Sequence, residues 1–347
     1  MNLSRHALAL RSIVKHSPTK HALSTLFFAL FVGLTLSLAA PSVKAQTYPN
    51  KSIRIVEPTG PGSAPDAVVR DIIPALNDSF GQQVYIDNKP GGNSLIGARE
   101  VVRSPADGYT IFHGNINNAL NDLSPNVNNN CCRLGESLIP ITRLVSTPLV
   151  LVVNPGVQAR TLKEYMALAK TQPKSLTYAS GGAGSITQFL GELFKVKANV
   201  SIREVPYKAI GAELPDVIAG HINSAYLAPV VVAQHIKSGK LIALGVAGPK
   251  RVTIISDVPT FAEGGLQNVE AAGWNGIFVA TGTSQAIVNR IFNDFNKVLN
   301  TPNARSHAIE MGYDFGSSTP EEFGNFIKSE ISKWGQVIKD AKLKLDE

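Results

Sequence analysis

From Tyr48 onward, apolar positions recur with two different periods that alternate along the chain. Short runs with strand character at 53–56, 83–86 and 109–113 are separated by stretches at 64–80 and 95–103 with helical spacing. In the first of these, Val68, Val69, Ile72 and Leu76 mark the inward face, and a kink is expected at Pro74. Strand, helix, strand, helix, strand predicts the opening of a parallel sheet with helices on its faces.

A polar, asparagine-rich stretch at 115–135 interrupts the pattern and reads as a loop. The long apolar run 138–153, with Pro148 at its middle, has the length expected of a strand that leaves one lobe and enters another. Beyond it a helix opens at Thr161, with Glu164 in capping-box position, and a strand at 175–178 leads through a glycine-rich turn into a helix at 186–195. Alternating units continue at 202–205, 212–219, 222–227, 230–237 and 241–246, and 273–280 reads as a second crossing strand. Helices at 285–299 and 319–343 close the chain, the last opening with Thr319, Pro320 and Glu322. Two crossings predict an α/β protein of two lobes, each a mainly parallel sheet flanked by helices. The first lobe is discontinuous, 46–147 plus 275–347, and the second is 148–274.

Two turns stand out within this pattern. Pro58, Thr59, Gly60, Pro61 and Gly62 lead from a strand into a helix that opens with Ser63, and Asp66 sits three residues on as a structural helix cap. Far along the chain, Ser180, Gly181, Gly182, Ala183 and Gly184 lead to Ser185, with Gln188 at the same spacing. A tight turn at a helix start leaves backbone N–H groups free at the positive end of the helix dipole, an arrangement that binds an anion or a polarised oxygen. Taken alone, the first turn is equally an ordinary strand-to-helix loop. The repetition is what matters: two sets of main-chain donors, one from each lobe, are expected to converge on one guest.

Composition changes the picture mainly at the start of the chain. The first 45 residues carry Arg5, Arg11, Lys15 and Lys20 and no acid, then the apolar run 23–38 and the compact residues of Val43-Lys44-Ala45. This is the pattern of a secretory signal cut near Ala45, which puts the mature protein in the periplasm; a retained membrane anchor is the alternative. Of the 33 Lys and Arg, five lie in that segment, leaving 28 against 26 acids, so the net charge of +7 falls to about +2 in the mature chain. No basic cluster interleaved with aromatics remains, and no nucleic-acid partner is expected. With 44% hydrophobic and 17% charged residues, the chain can bury a substantial core. Cys131 and Cys132 are adjacent, so a vicinal disulfide closing a small strained ring, two surface thiols, or a contact between molecules all remain open.

Catalytic constellations are hard to find. The GxSxxG of 92–97 is one residue too long for a nucleophile elbow, and the turn at 181–185 lacks the Lys of a phosphate-binding loop. His113, His221 and His235 lack metal-ligand spacing, so no metal and no cofactor is expected. Glu57 with His113 is the one acid–base pair worth inspecting. A cleft between the two turns would bind without doing chemistry, and the chain is read as not an enzyme.

Several segments resemble the Bug (TctC-like) family of periplasmic solute-binding receptors of tripartite tricarboxylate transporters. They are Tyr48-Pro49-Asn50-Lys51-Ser52-Ile53-Arg54, the stretch from Pro58 to Asp66, Asn88-Lys89-Pro90-Gly91, Ile96-Gly97-Ala98 and Asp107-Gly108-Tyr109-Thr110. Tyr178-Ala179-Ser180 with the glycines after it, Gly191-Glu192-Leu193-Phe194, Val205-Pro206-Tyr207-Lys208, Asp257-Val258-Pro259-Thr260 and Thr319-Pro320-Glu321-Glu322-Phe323 continue the likeness across the mature chain. The resemblance implies a two-lobed periplasmic binding protein fold (type II) that closes on a small organic acid, with Thr59, Gly60, Gly62, Ser63 and Ser180 to Ser185 holding one carboxylate. Asn115 and Asn117 would read the rest of the ligand, and Leu227 stands where a second-lobe acid is common. It further implies a monomer that delivers its ligand to a membrane permease, or signals to a sensor kinase. Glu57, Asn93, Ser94 and the segment 126–136 depart from the family pattern. Glu57 is expected to face solvent or pair with a Lys; turned inward it would repel an anion by about 1–4 kcal/mol at ~4 Å.

Overall fold

The computed structural model describes residues 48–123, 131–173, 175–207 and 212–343. The segment expected to be a signal, residues 126–130 of the departing stretch and Lys208 lie outside the described residues. Within them the alternation read from the sequence builds two sheets, and the apolar faces of their strands and helices form the core.

The first sheet begins with β1 (Ile53–Glu57), α1 (Ala64–Phe80), β2 (Val84–Asn88), α2 (Leu95–Val102) and β3 (Thr110–Asn115). β1 lies between β2 and β3 and pairs in parallel with both, so Ile53, Ile55 and Ile111 share one buried face. Val68, Val69, Ile72 and Leu76 of α1 cover that face, and the helix continues through Pro74. Its other cover is α8 (Gln285–Leu299), through Val288, Ile291 and Phe295. The opposite face, with Val56, Phe112 and Phe278, packs on α2 and on α10 (Pro320–Ala341) through Ala98, Phe323 and Trp334.

The predicted long strand is two strands. β4 (Leu138–Pro148) belongs to the first sheet and β5 (Val150–Val153) to the second, and the break falls at Pro148, which has no N–H to give to a ladder. β10 (Ala272–Ala280) returns beside β4 and pairs with it and with β3, both antiparallel. With β11 (Asp314–Phe315) at the edge, the first sheet has the order β11-β4-β10-β3-β1-β2. Where the chain passes between sheets the passages are bonded together. Leu149 N–H donates to Ala271 O, Ala271 N–H to Ala247 O, and Ala247 N–H to Leu149 O.

The second sheet contains β6 (Thr177–Ser180), β7 (Arg203–Pro206), β8 (Ser224–Leu227) and β9 (Ile242–Val246), in the order β7-β6-β8-β5-β9. β6 is parallel to β7 and β8, while β5 runs against β8 and β9. Both sheets are therefore mixed, parallel in their βα units and antiparallel around the connecting strands. The helices of this part are α4 (Leu162–Thr171), α5 (Ile186–Ala198), α6 (Leu214–Ala219) and α7 (Pro229–Lys237). α5 lies against Tyr178, whose ring would meet a Cβ on Gly191 at 2.3 Å, so only glycine fits there.

Two helices fall where none was expected. α3 (Ile116–Asn121) occupies the start of the stretch read as a loop, with Asn115 and Asn118 forming its capping box. α9 (Pro302–Glu310) is opened by Thr301, whose hydroxyl accepts from Ala304 N–H. Cys131 and Cys132 are joined by a disulfide. Cys132 is buried and Cys131 packs partly buried against the same core, which removes the surface-thiol reading.

Candidate functional site

Both glycine turns sit at the C-terminal ends of parallel strands, where open α/β sheets place their ligands. The first follows β1 and the second follows β6. Each ends in a serine with extended backbone that caps the next helix. Ser63 accepts from Asp66 N–H (3.4 Å) and Ser185 from Gln188 N–H (3.3 Å). Positive φ at Gly62 (79°), Gly182 (87°) and Gly184 (75°) is what reserves these positions for glycine.

The loop before α2 reaches the second turn through Asn93. Its Nδ2 donates to Gly184 O at 3.3 Å and to Asn121 Oδ1 at 3.1 Å, while Asn121 Nδ2 returns a bond to Asn93 O at 2.8 Å. A residue of the first sheet's layer thus reaches the second turn directly. The sequence reading placed Asn93 only among departures from the family pattern; its left-handed φ of 50° was the signal that spacing alone does not carry.

The expectation of free amides is corrected. Thr59 N–H donates to Glu57 Oε1 (3.1 Å), Gly62 N–H to Asp66 Oδ2 (2.8 Å) and Ser63 N–H to Gly60 O (3.2 Å). In the second turn Gly181 N–H goes to Thr187 Oγ1 (2.8 Å), Gly182 N–H to Ser180 Oγ (3.1 Å), Gly184 N–H to Gln188 Oε1 (2.9 Å) and Ser185 N–H to Gly182 O (3.1 Å). Gly60 and Ala183 keep N–H groups without such a bond among the described residues. The N3 side chain of each helix folds back to take one of these amides, Asp66 that of Gly62 and Gln188 that of Gly184, and Glu57, Ser180, Thr187 and two main-chain carbonyls take the rest.

Glu57 is also corrected. It is fully buried, not solvent-facing, and its partner is His113 rather than a Lys. Glu57 Oε2 bonds His113 Nδ1, and Oε1 accepts from Thr59 N–H and from Thr59 Oγ1 (2.6 Å), which in turn lies 2.6 Å from Ser63 Oγ. The order is hydroxyl, carboxylate, imidazole. A nucleophilic triad needs the imidazole between hydroxyl and carboxylate, so this pair is not one.

Asp66 is buried and accepts from Arg70 Nε (2.6 Å), Asn88 Nδ2 (2.9 Å) and Gly62 N–H. Burial alone would raise its pKa, but these hydrogen bonds and the Arg70 charge outweigh it and hold the carboxyl below its ordinary value. Behind the second turn stands Glu204 of β7, bonded by Ser180 Oγ (2.5 Å) and Gln188 Nε2 (3.2 Å). Sequence reasoning missed Glu204 because nothing local ties β7 to the turn.

Asn115 is buried and spends its side chain on Asn117 N–H (2.9 Å) and Ser94 Oγ (3.0 Å) as the cap of α3. Asn117 Oδ1 is buried without a partner among the described residues, as is His113 Nε2. Leu227 is buried with Val150, Val152 and Ala179 in the core of the second sheet, so its side chain fills the core in place of the ligand contact expected of it. Among the described residues no group of three His, Cys, Asp or Glu side chains is placed to hold a metal, and no helix is long and apolar enough to cross a membrane.

Comparison with known proteins agrees with this architecture. Protein BugT of Bordetella pertussis is 31% identical over 314 residues, covering 90% of this chain and 95% of BugT. A solved structure of a periplasmic transporter superposes with a TM-score of 0.77 at 30% identity, covering 86% of this chain and all of that one. Rpa4515 of R. palustris, solved with adipate, gives a TM-score of 0.77 at 26% identity over 85% of this chain and 98% of that one. The tripartite tricarboxylate transporter family receptor pattern, TctC, matches residues 68–343. The chain belongs to this TctC/Bug family of solute-binding receptors.

Proposed function

We propose that the protein captures a small organic acid in the periplasm and delivers it to a tripartite tricarboxylate-type membrane permease. The single observation supporting this reading is that a serine-capped glycine turn follows a parallel strand in each sheet, with Asn93 of the loop before α2 bonded to Gly184 of the second turn. The residues that hold the ligand in this reading are Thr59, Gly60, Gly62, Ser63, Asn117 and the turn from Ser180 to Ser185. In this reading residues 46–147 and 275–347 form one lobe and 148–274 the other, the leader is removed near Ala45, and the receptor works as a monomer.

The adipate held by Rpa4515, a relative of the same fold, supports a carboxylate as the ligand. Closure over the ligand follows if the closed form binds it better than the open one. The test is thermal unfolding with a panel of mono- and dicarboxylates. A tight binder present at 100 times its Kd adds about 2.7 kcal/mol of stability. The absence of any shift across the panel removes the reading.

A further inference from the structure

Four successive residues between β2 and α2 have positive φ: Gly91 (121°), Gly92 (56°), Asn93 (50°) and Ser94 (75°). Glycine adopts this region freely and asparagine tolerates it, but a serine held there is strained. α3 supplies what holds the turn. Asn121 bonds Asn93 twice, accepting from its Nδ2 and donating to its carbonyl. Asn118 Nδ2 donates to Ser94 O (3.3 Å) and Asn115 Nδ2 to Ser94 Oγ (3.0 Å). An asparagine amide has two hydrogens to give. With one on Asn121 Oδ1, the other goes to Gly184 O, the last carbonyl of the second glycine turn before its serine cap.

The turn at 181–185 is thereby fixed at two points of different character. α5, which it opens, sets Phe189 edge-on against Trp334 of α10, both fully buried, with ring centroids 5.7 Å apart. Parting those rings would expose apolar surface to water. Asn93 and Gly184 are only half-buried, so water can take over each end of their bond when it breaks. The aromatic contact suits a permanent anchor, and the amide suits a tie that opens and closes. Asn93 is also a position at which the chain departs from the family pattern. We propose that Asn93 is a positioning residue, tying the second turn to the layer of the first sheet and slowing release of the ligand held there. This deepens the reading of the protein as a receptor that closes over an organic acid, and rests on it.

Asn93→Gly is the variant of choice, because glycine keeps the positive φ and loses only the amide. Isothermal titration and stopped-flow kinetics of the exported protein with succinate, glutarate and adipate test the proposal. Dissociation is expected to speed up about two- to tenfold, the worth of one net hydrogen bond, with the association rate little changed and the melt still cooperative. A tie between the halves acts alike on every guest, so the factor is expected to be the same for each acid that binds. Dissociation unchanged by Asn93→Gly overturns the proposal and leaves the receptor reading standing. So does a loss carried by the association rate alone, or a factor that differs from acid to acid, which would make Asn93 a ligand contact instead. If none of the acids binds, the receptor reading falls and the proposal with it.

Discussion

The two glycine turns share a plan and differ in charge. Each has a serine cap, an N3 side chain folded back onto a turn amide, and a carboxylate reached through a hydroxyl. In the first the N3 residue is an ionised aspartate clamped by Arg70 and Asn88; in the second it is a glutamine that shares its amide with Glu204. The same local geometry can therefore be stiffened with an ion pair or by hydrogen bonds without one. The cost of disrupting the two should be unequal.

The largest effect is expected from Asp66→Ala. It strands the Gly62 amide, Asn88 and Arg70 around a buried hole, and breaking a buried charged pair costs about 3–5 kcal/mol; Arg70 is half exposed, so the lower end is expected. Denaturant titration should show the midpoint fall with an unchanged slope. Gln188→Ala, losing the bonds to the Gly184 amide and the Glu204 carboxylate but no ion pair, is expected to cost about 2 kcal/mol by the same measurement. Equal losses from the two variants would erase the distinction between the turns. Ser63→Ala and Ser185→Ala should each cost about 1 kcal/mol, because the caps are alike.

A pH series sharpens the contrast further. The Asp66 carboxyl is held below its ordinary value of 3.8, so its stabilisation is complete above that value and is lost as the pH falls through the lowered one. Asp122, at the end of α3, behaves in the opposite sense. Burial first, against the counter-effect of the Leu134 N–H, lifts it to about 7. The folded state therefore holds its proton more tightly than the unfolded chain, and stability declines as the pH rises from about 3.8 to about 7. Melting curves of Asp122→Asn should lack that decline, and those of Asp66→Asn should lose the acid limb.

Much of the architecture was legible because it rests on local signals. α1 is bounded by the Ser63 cap and Gly81, and α10 opens with the Thr319–Glu322 capping box, each signal lying within a few residues of the helix end it marks. α3 escaped because its six residues, INNALN, carry too little apolar pattern; its signal was the pair of asparagines that caps it. Thr301 followed by Pro302 was a readable start for α9, but the helix has no strong apolar face to confirm it. The site was legible as two turns and not as a network. Glu57 and His113 are 56 residues apart, Ser180 and Glu204 are 24 apart, and Asn93 and Gly184 are 91 apart. Whether a turn amide is open depends on these partners, and spacing within one turn says nothing of them.

The bonded passages at Leu149, Ala247 and Ala271 have a mechanical consequence. Each holds peptide groups of another, so swivelling one passage alone would tear hydrogen bonds from its neighbours. Flexing them together, as one hinge-leaf, tears none. An inserted glycine in one passage is therefore expected to loosen the other as well, which amide exchange at Ala247 and Ala271 would read.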